Sequence, residues 1–225
     1  AKIAIRSSHA IPLDPEKYAR VFEITRDLVL RADIKMPTLY LVPSSQPNAF
    51  ASGRNQSNAI VAVTEGLVET LSEDELGGVI AHELAHIKNN DILVQSIASA
   101  IGMTITWTVY LLIDFGDGLP ALIGGILAII LAPIAASIIQ MAVSRQREFA
   151  ADAGGAAFTG NPESLASALL RIETAVAADP VQVNQSSESM YIIKPFSGGG
   201  FSKMFSTHPA TEERVRRLRE MRPSL

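Results

Sequence analysis

Two histidines and a glutamate stand at a spacing that suits metal-dependent hydrolysis. The stretch "AHELAHIKNND" (81–91) places His82 and His86 four residues apart, with Glu83 directly after the first. On a helix, residues i and i+4 project from the same face, so both imidazoles can reach one point. This gives two of the three protein ligands of a catalytic zinc, with Glu83 as general base for a bound water. The alternative is a pair of surface histidines, because a bare match to this pattern also arises by chance.

A second pair at helical spacing offers the third ligand. Glu148 and Asp152 in "SRQREFAADAGGAAF" are again four residues apart. We expect Glu148 to bind the zinc and Asp152 to accept the spare N–H of a ligand histidine, with His82 as its expected partner. The alternative is that both are solvated helix acids paired with Arg145 or Arg147.

Two long apolar segments lie between the two parts of this site. They cover 92–113 and 119–143 and are joined by "DFGDG", and no Lys or Arg occurs from Asn89 to Ser144. Each segment, if helical, is long enough to cross the hydrocarbon core of a bilayer. An out-and-back path would return Glu148 to the two histidines. We therefore predict an inserted transmembrane helical hairpin, and the alternative is a pair of buried core helices.

The amino-acid composition excludes several classes of partner and of metal site. The 225 residues carry 19 Lys plus Arg against 23 Asp plus Glu, a net charge of −4, so no basic character suggests a nucleic-acid partner. The absence of cysteine excludes disulfides and thiolate metal sites. Charged residues make up only 19% of the chain, which is low for a soluble domain.

Local patterns predict the elements that position these residues. Caps followed by proline at Asp14-Pro15 and Asn161-Pro162 indicate helix starts, and Ser72 with Glu75 forms a capping-box pattern ahead of the histidines. Three short apolar runs separated by turn residues predict a three-stranded sheet. The predicted elements are helices over 15–33, 72–90, from near Ser144, 162–178 and 210–222, and strands over 38–42, 48–52 and 59–63, with a further short strand at 190–193.

Five stretches together resemble the HtpX family of membrane-bound zinc metalloproteases, which is related to the endoproteases that process prenylated CAAX proteins. They are "AHELAHIKNND", "SRQREFAADAG", "PNAFASG", "NAIVAVTEGL" and "STHPATEERVRRL", in the expected order from about residue 15 onward. The resemblance implies a gluzincin-like metalloendopeptidase fold with one zinc ion per chain. It places that zinc on His82, His86 and Glu148 and makes Glu83 the catalytic base.

The same resemblance implies roles outside the metal motif. His208 of "THP" would face the site and stabilise the oxyanion, although on sequence alone a histidine before proline is more often an ordinary loop residue. Asn48 and Ala49 of "PNAFA" would lie on the edge strand that receives the substrate backbone. The run "RVRRLREMR" (214–222) could touch anionic lipid, but a solvated helix face is the better interpretation. His9 is interpreted as a surface residue.

These observations predict an α+β, mainly helical zincin-like domain in three parts: 1–91, the hairpin over 92–143, and 144–225. The expected function is an integral-membrane zinc endopeptidase, and the resemblance implies that it hydrolyses misfolded or damaged membrane proteins in quality control and stress response. Its expected partners are polypeptide substrates and the lipid bilayer, with no nucleic acid. One alternative is a CAAX-type processing protease, which needs an enclosed membrane chamber that two helices cannot build. The other is a non-catalytic membrane adaptor. The intact Glu83 and the full set of metal ligands argue against it, because binding alone needs neither.

The charges that flank the apolar segments predict an orientation. Lys88 precedes the first segment and Arg145 and Arg147 follow the second, whereas the turn between them carries only acids. Under the positive-inside rule the basic ends stay cytoplasmic. We therefore expect a multi-pass protein of the inner cell membrane with its catalytic domain in the cytosol. Members of the resembling family usually begin with two further transmembrane helices, and nothing before Asp14 fits one. We expect either a truncated chain or an anchor reduced to the internal pair.

Overall fold

A computed structural model describes residues 2–53, 55–113, 119–178 and 209–221. The expected turn at 114–118, the expected strand at 190–193 and His208 lie outside these residues. The described chain is mainly helical with one small sheet, which confirms the α+β class. Its helices are α1 (Lys2–Ser7), α2 (Ala19–Ala32), α3 (Glu65–Thr70), α4 (Glu73–Lys88), α5 (Asp91–Ile113), α6 (Leu119–Thr159), α7 (Pro162–Ala178) and α8 (Thr211–Glu220).

The sheet has four strands, so the prediction of three strands was wrong. Its strands are β1 (Ile11–Pro12), β2 (Thr38–Val42), β3 (Ala49–Ser52) and β4 (Ile60–Thr64), in the spatial order β1-β2-β4-β3. β4 is parallel to β2 and antiparallel to β3, and β1 is antiparallel to β2. The missed strand β1 is two residues long and contains a proline, so it has no alternating pattern to recognise. This order leaves β3 at one edge of the described sheet.

The first long helix begins later than predicted. Asp14 does not cap a helix at residue 15: its carboxylate accepts N–H bonds from Glu16 and Lys17 and closes a turn. α2 then begins at Ala19 and ends at Ala32, and the next residue, Asp33, has the left-handed conformation with φ 51°. The buried side chains of α2, including Val21 and Leu28, join the apolar core.

Helix α4 lies at the centre of the packing. The predicted capping box is present, because the Ser72 hydroxyl accepts from the N–H of Glu75 and the Glu75 carboxylate accepts from the N–H of Ser72. α4 packs against α2, α6, α7 and β3. Gly78 permits a close approach to α7, because a Cβ there would lie 2.6 Å from the backbone nitrogen of Leu165. The capping box and this close approach fix where α4 begins and how it sits in the core.

Helices α5 and α6 carry the apolar segments and pack against each other. The prediction of a new helix near Ser144 was wrong, because α6 is one helix of 41 residues that runs from the apolar segment into the acidic motif. The polarity of the sequence changes at that point, but no helix-breaking residue accompanies the change. Glu148 and Asp152 are therefore rigidly connected to the apolar half of α6.

Among the described residues, one helical stretch, Ala128–Thr159, is long and apolar enough to cross a membrane by length and composition. The second predicted span, on α5, stays a prediction. Only 6% of the most apolar window in Ala128–Thr159 is buried. This low burial does not fit the alternative of a buried core helix.

Candidate metal centre

The three predicted ligands lie together at the contact between α4 and α6. The Nε2 atoms of His82 and His86 are 3.1 Å apart. Oε2 of Glu148 lies 3.6 Å from Nε2 of His82, and Oε1 lies 3.6 Å from Nε2 of His86. Zinc binds nitrogen and oxygen at about 2.1 Å, so two tetrahedral ligands of one ion are roughly 3.4 Å apart. The spacing of the two nitrogens therefore suits two ligands of one ion, and the Glu148 carboxylate lies within reach of both as a third ligand. Within the described ranges, these are the residues whose donor atoms form such a group.

A carboxylate orients each histidine from behind. Nδ1 of His82 lies 2.9 Å from Asp152, the partner predicted from the sequence, and Nδ1 of His86 lies 2.5 Å from Asp91. An Nδ1–H bond to a carboxylate fixes the imidazole tautomer and turns the Nε2 lone pair toward a metal. The two carboxylates therefore orient both imidazoles so that their Nε2 atoms face one point.

A buried arginine completes the His82 side of the site. Arg214 of α8 is 1% exposed and donates to both oxygens of Asp152, from Nε at 2.9 Å and from Nη2 at 2.7 Å. Its Nη1 lies 3.7 Å from Glu148. Burial alone would lower the pKa of Arg214, but the charges of Asp152 and Glu148 outweigh it and raise that pKa. Arg214 therefore stays charged and links α8 to the two acids of α6.

The charges at the site favour a divalent cation. The ionic groups around the histidines are four carboxylates and two guanidinium groups: Glu83, Asp91, Glu148, Asp152, Arg147 and Arg214. With neutral histidines this set is two negative charges in excess, which one Zn²⁺ would neutralise. Burial lowers the pKa of His82, but its hydrogen bonds to Asp152 and Glu148 outweigh that effect and raise the pKa to about 9. Surroundings that hold a proton on this histidine also favour a metal cation in its place.

Glu83 lies on α4 directly after His82 and is 5% exposed. It lies outside the group of three ligand atoms. It directly follows the ligand His82, and its charge helps to raise the pKa of the buried Arg214. A carboxylate beside the ligands that is not itself a ligand is the arrangement a general base needs.

A glycine on α6 allows the ligand helices to approach closely. A Cβ at Gly155 would lie 2.9 Å from the backbone nitrogen of His82 and 3.1 Å from its Cα. Gly155 lies three residues after Asp152 and seven after Glu148, so all three share one helix face. Any larger residue at 155 would push the acids away from His82.

The residues predicted to bind substrate lie at the start of the edge strand β3. Asn48 is buried, and Ala49 begins the edge strand β3, which packs against α4. A shallow cleft extends from Ser52 and Gly53 at the end of β3 to His86. Their roles stay predictions, and His208 lies outside the described residues.

Sequence reasoning missed two residues of the site, Asp91 and Arg214. Asp91 follows His86 by five residues, and its position at the start of the next helix was the available signal. Arg214 belongs to a run interpreted as a solvated helix face, which was wrong for this residue. It lies four residues before the buried Leu218, on the apolar side of α8.

The exposed Arg216, Arg217 and Arg219 of the same run pair with Glu213, Glu220 and Glu163. These pairs leave little reason for the run to bind lipid.

A helix with two histidines and a following glutamate, and a carboxylate ligand from a later helix, define a metallopeptidase-like class of site. The chain belongs to peptidase family M48, whose sequence model matches residues 15–222. It is 44% identical to a protease HtpX homolog of Pelotomaculum thermopropionicum, over 98% of this chain and 82% of that protein. It is 46% identical to the protease HtpX homolog of Thermococcus sibiricus, over 98% and 80% of the two chains.

The fold is also similar to a solved structure. The crystal structure of S. mikatae Ste24p superimposes with a TM-score of 0.65 at 21% sequence identity. The match covers 96% of this chain and 53% of that chain, so this chain spans about half the length of its structural neighbour. At this identity the likeness establishes the fold alone.

Proposed function

We propose that this chain is a zinc-dependent endopeptidase anchored in a membrane. The observation that carries the proposal is the set of facing donor atoms on His82, His86 and Glu148, spaced 3.1 to 3.6 Å apart. Protease HtpX homologs at about 45% identity, over nearly the whole chain, support a peptidase function. A non-catalytic adaptor would need neither the ligand spacing nor the buried carboxylate of Glu83.

When bound, zinc would supply Lewis acidity toward the scissile carbonyl and lower the pKa of a water to about 7. His82, His86 and Glu148 would hold the ion, with Asp152 and Asp91 fixing the two imidazoles. Glu83 would accept the proton of the attacking water and pass it to the leaving amine. These side chains have low exposure, so their electrostatic interactions are screened less than they would be in water.

The edge of β3 suits an extended peptide. Asn48 is engaged with Thr64 on the β4 side, since the Thr64 N–H donates to the Asn48 carbonyl at 3.0 Å. Hydrogen-bonding direction alternates along an antiparallel strand, so Ala49 and Ala51 direct their main-chain groups to the outer edge. A substrate strand pairing there gains main-chain hydrogen bonds with little sequence preference. His208, three residues before α8 in the sequence, would serve as an oxyanion donor.

The apolar side chains of α5 and α6 support insertion into a bilayer. Several threonine hydroxyls of α5 donate to the carbonyl four residues earlier, as Thr104 does to Ala100 and Thr108 to Thr104. Such internal bonds lower the cost of polar side chains in hydrocarbon. On the described parts of α5 and α6, the large apolar side chains that are at least half exposed are Leu93, Ile97, Ile101, Met103, Trp107, Ile130, Leu131, Ile138 and Ile139. We infer that α5 and α6 form a membrane hairpin between the two parts of the site.

The proposed substrates are misfolded or damaged membrane proteins. This is consistent with the HtpX name of the relatives and with an edge strand that binds the substrate main chain. Lys88, Arg145 and Arg147 at the roots of the hairpin favour a cytoplasmic catalytic domain in the inner membrane. Because the chain has no cysteine, single cysteines can report this topology. A cysteine at Gly116 should react with an impermeant thiol reagent outside intact cells, and one at Ser187 should not. The opposite labelling would invert the orientation.

Zinc content and proteolysis test the enzyme proposal together. The purified chain in detergent should hold one zinc per molecule and digest casein. Glu83→Gln should keep the zinc and the fold and lose the activity, because it removes the proton acceptor without removing a ligand. An Asp27→Asn variant, on the exposed face of α2, is the matched control and should stay active. An active Glu83→Gln enzyme would end the general-base assignment, and a wild type without zinc would end the proposal.

A further inference from the structure

Asp91 joins the metal site to the roots of both apolar segments. It is the first residue of α5 and is 5% exposed. One of its oxygens lies 2.5 Å from Nδ1 of His86, and the other lies 3.2 Å from Nε of Arg147. Arg147 belongs to α6, just after its apolar half, and precedes the ligand Glu148. A single carboxylate therefore contacts a ligand histidine, begins one apolar helix and pairs with the other.

We propose that Asp91 is a positioning residue through which the pairing of α5 with α6 sets the orientation of His86. The metal site is then complete only when the roots of the two apolar helices lie side by side. This inference rests on the proposed function, because it takes zinc as the ligand and α5 with α6 as the membrane hairpin.

The link between α4 and α5 is short, so Asp91 cannot move independently of α5. α4 ends at Lys88, and only Asn89 and Asn90 separate it from Asp91. Asn90 has a φ of 54°, a left-handed conformation that asparagine tolerates better than most residues. The turn folds the chain back so that Asp91 reaches His86. A tilt of α5 at its root would therefore move the carboxylate that holds the imidazole.

The two ligand histidines differ in where their support originates. His82 is held by Asp152, which Arg214 of α8 fixes in turn. His86 is held by Asp91, which Arg147 fixes, and both of these residues adjoin apolar segments. Disturbing the hairpin should therefore act on the His86 side of the site, while the His82 side keeps its own carboxylate and guanidinium.

Cobalt substitution tests this inference on the full chain in detergent, since the visible absorption of Co²⁺ reports the geometry of its ligands. Asp91→Ala should weaken Co²⁺ binding by about 10- to 100-fold, the range for residues behind a metal ligand, and should alter the absorption spectrum. Arg147→Ala should weaken it less, by at least about threefold, because the bond from His86 to Asp91 remains. Arg147→Lys should restore most of that loss.

The double variant decides whether Arg147 acts through Asp91. Asp91→Ala with Arg147→Ala should bind Co²⁺ no more weakly than Asp91→Ala alone, since a residue that acts through a missing partner has no further effect. Additive losses would show that Arg147 acts directly on the neighbouring Glu148 and would overturn the inference. Asp91→Asn, which keeps the side-chain shape, covers the case in which the alanine variant does not fold.

The controls separate this inference from the proposed function. Asp27→Ala with Arg31→Ala removes an exposed aspartate–arginine pair on α2 and should leave Co²⁺ affinity and spectrum unchanged. An unchanged spectrum in Asp91→Ala would overturn the positioning role. If the wild type binds metal and digests casein, but the losses of Co²⁺ affinity in the Asp91 and Arg147 variants are additive, the proposed function stands and only the inference is refuted. A wild type that binds no metal would refute both.

Discussion

Replacing Arg214 by methionine tests whether the buried ionic network is arranged as the structure has it. The side chain is 1% exposed, makes two hydrogen bonds to Asp152 and lies 3.7 Å from Glu148. Methionine keeps much of the volume and apolar contact of the arginine stem and removes only the charged head. The substitution therefore leaves two buried carboxylates without their guanidinium partner.

The expected cost follows from the burial of the pair. Removing one partner of a buried ion pair destabilises a protein by about 3–5 kcal/mol, because the remaining charge stays buried and uncompensated. For the metal-free Arg214→Met protein we expect a loss in this range. Zinc should recover part of it, because its positive charge replaces that of the guanidinium beside Glu148.

The assay is denaturant unfolding in detergent with and without zinc, combined with a chelator competition for metal affinity. The double variant Arg214→Met with Asp152→Asn removes both charges, so most of the stability should return. Its metal affinity should stay about 10- to 100-fold below wild type, because His82 has lost its carboxylate. Stability and metal affinity should therefore separate in the double variant.

Arg219 of the same helix is the matched control. Its guanidinium pairs with Glu163 at an exposed position, so Arg219→Met should leave the unfolding midpoint unchanged within error. A loss below about 1 kcal/mol in Arg214→Met would refute the argument from burial. A double variant with wild-type metal affinity would refute the role of Asp152 behind His82.

Three further outcomes follow from the site and its supports. Glu148→Ala should remove most bound zinc, measured by metal analysis, and wild-type zinc content would move the third ligand elsewhere. Gly155→Ala should lower both zinc affinity and thermal stability, whereas unchanged values would contradict the close helix contact. Burial raises the pKa of Glu75, but hydrogen bonds from Ser72 and Arg171 outweigh it and hold the pKa below its ordinary value. The stability this carboxylate contributes is present above the ordinary pKa and lost as pH falls through the folded one. The difference in unfolding midpoint between Glu75→Gln and wild type should therefore shrink below about pH 4, and a constant difference would contradict this.

Elements fixed by local patterns were predictable. The capping box at Ser72 and the proline start of α7 at Pro162 were both placed correctly, because their signals lie within one helical turn. The strands at 38–42 and 59–63 matched to within one residue. The start of α2 was misplaced because a cap-and-proline signal can also close a turn. The break expected at Ser144 was wrong because a change in polarity was taken for a helix end.

At the metal centre, too, local patterns were predictable and tertiary contacts were not. The i, i+4 pairs on α4 and α6 could be recognised because the helix itself brings their members together. Arg214 is 62 residues from Asp152 in sequence, so only tertiary packing reveals that contact. The partner of Asp91 could not be predicted either, since it depends on the path of the chain through two apolar helices. Sequence reasoning therefore reached the metal ligands more readily than the residues that hold them.

The carboxylates and guanidinium groups that hold the two histidines come from segments far apart in the sequence. α4 supplies both histidines, but their carboxylates come from α5 and α6, and the guanidinium groups come from α6 and α8. With Glu83 and Glu148 added, these groups carry two negative charges in excess, and a buried excess of charge opposes close packing of the helices that carry it. One divalent cation removes that excess, so part of the free energy of metal binding is free energy of folding. Loss of metal should therefore loosen the contacts among α4, α6 and α8 before it disturbs the sheet.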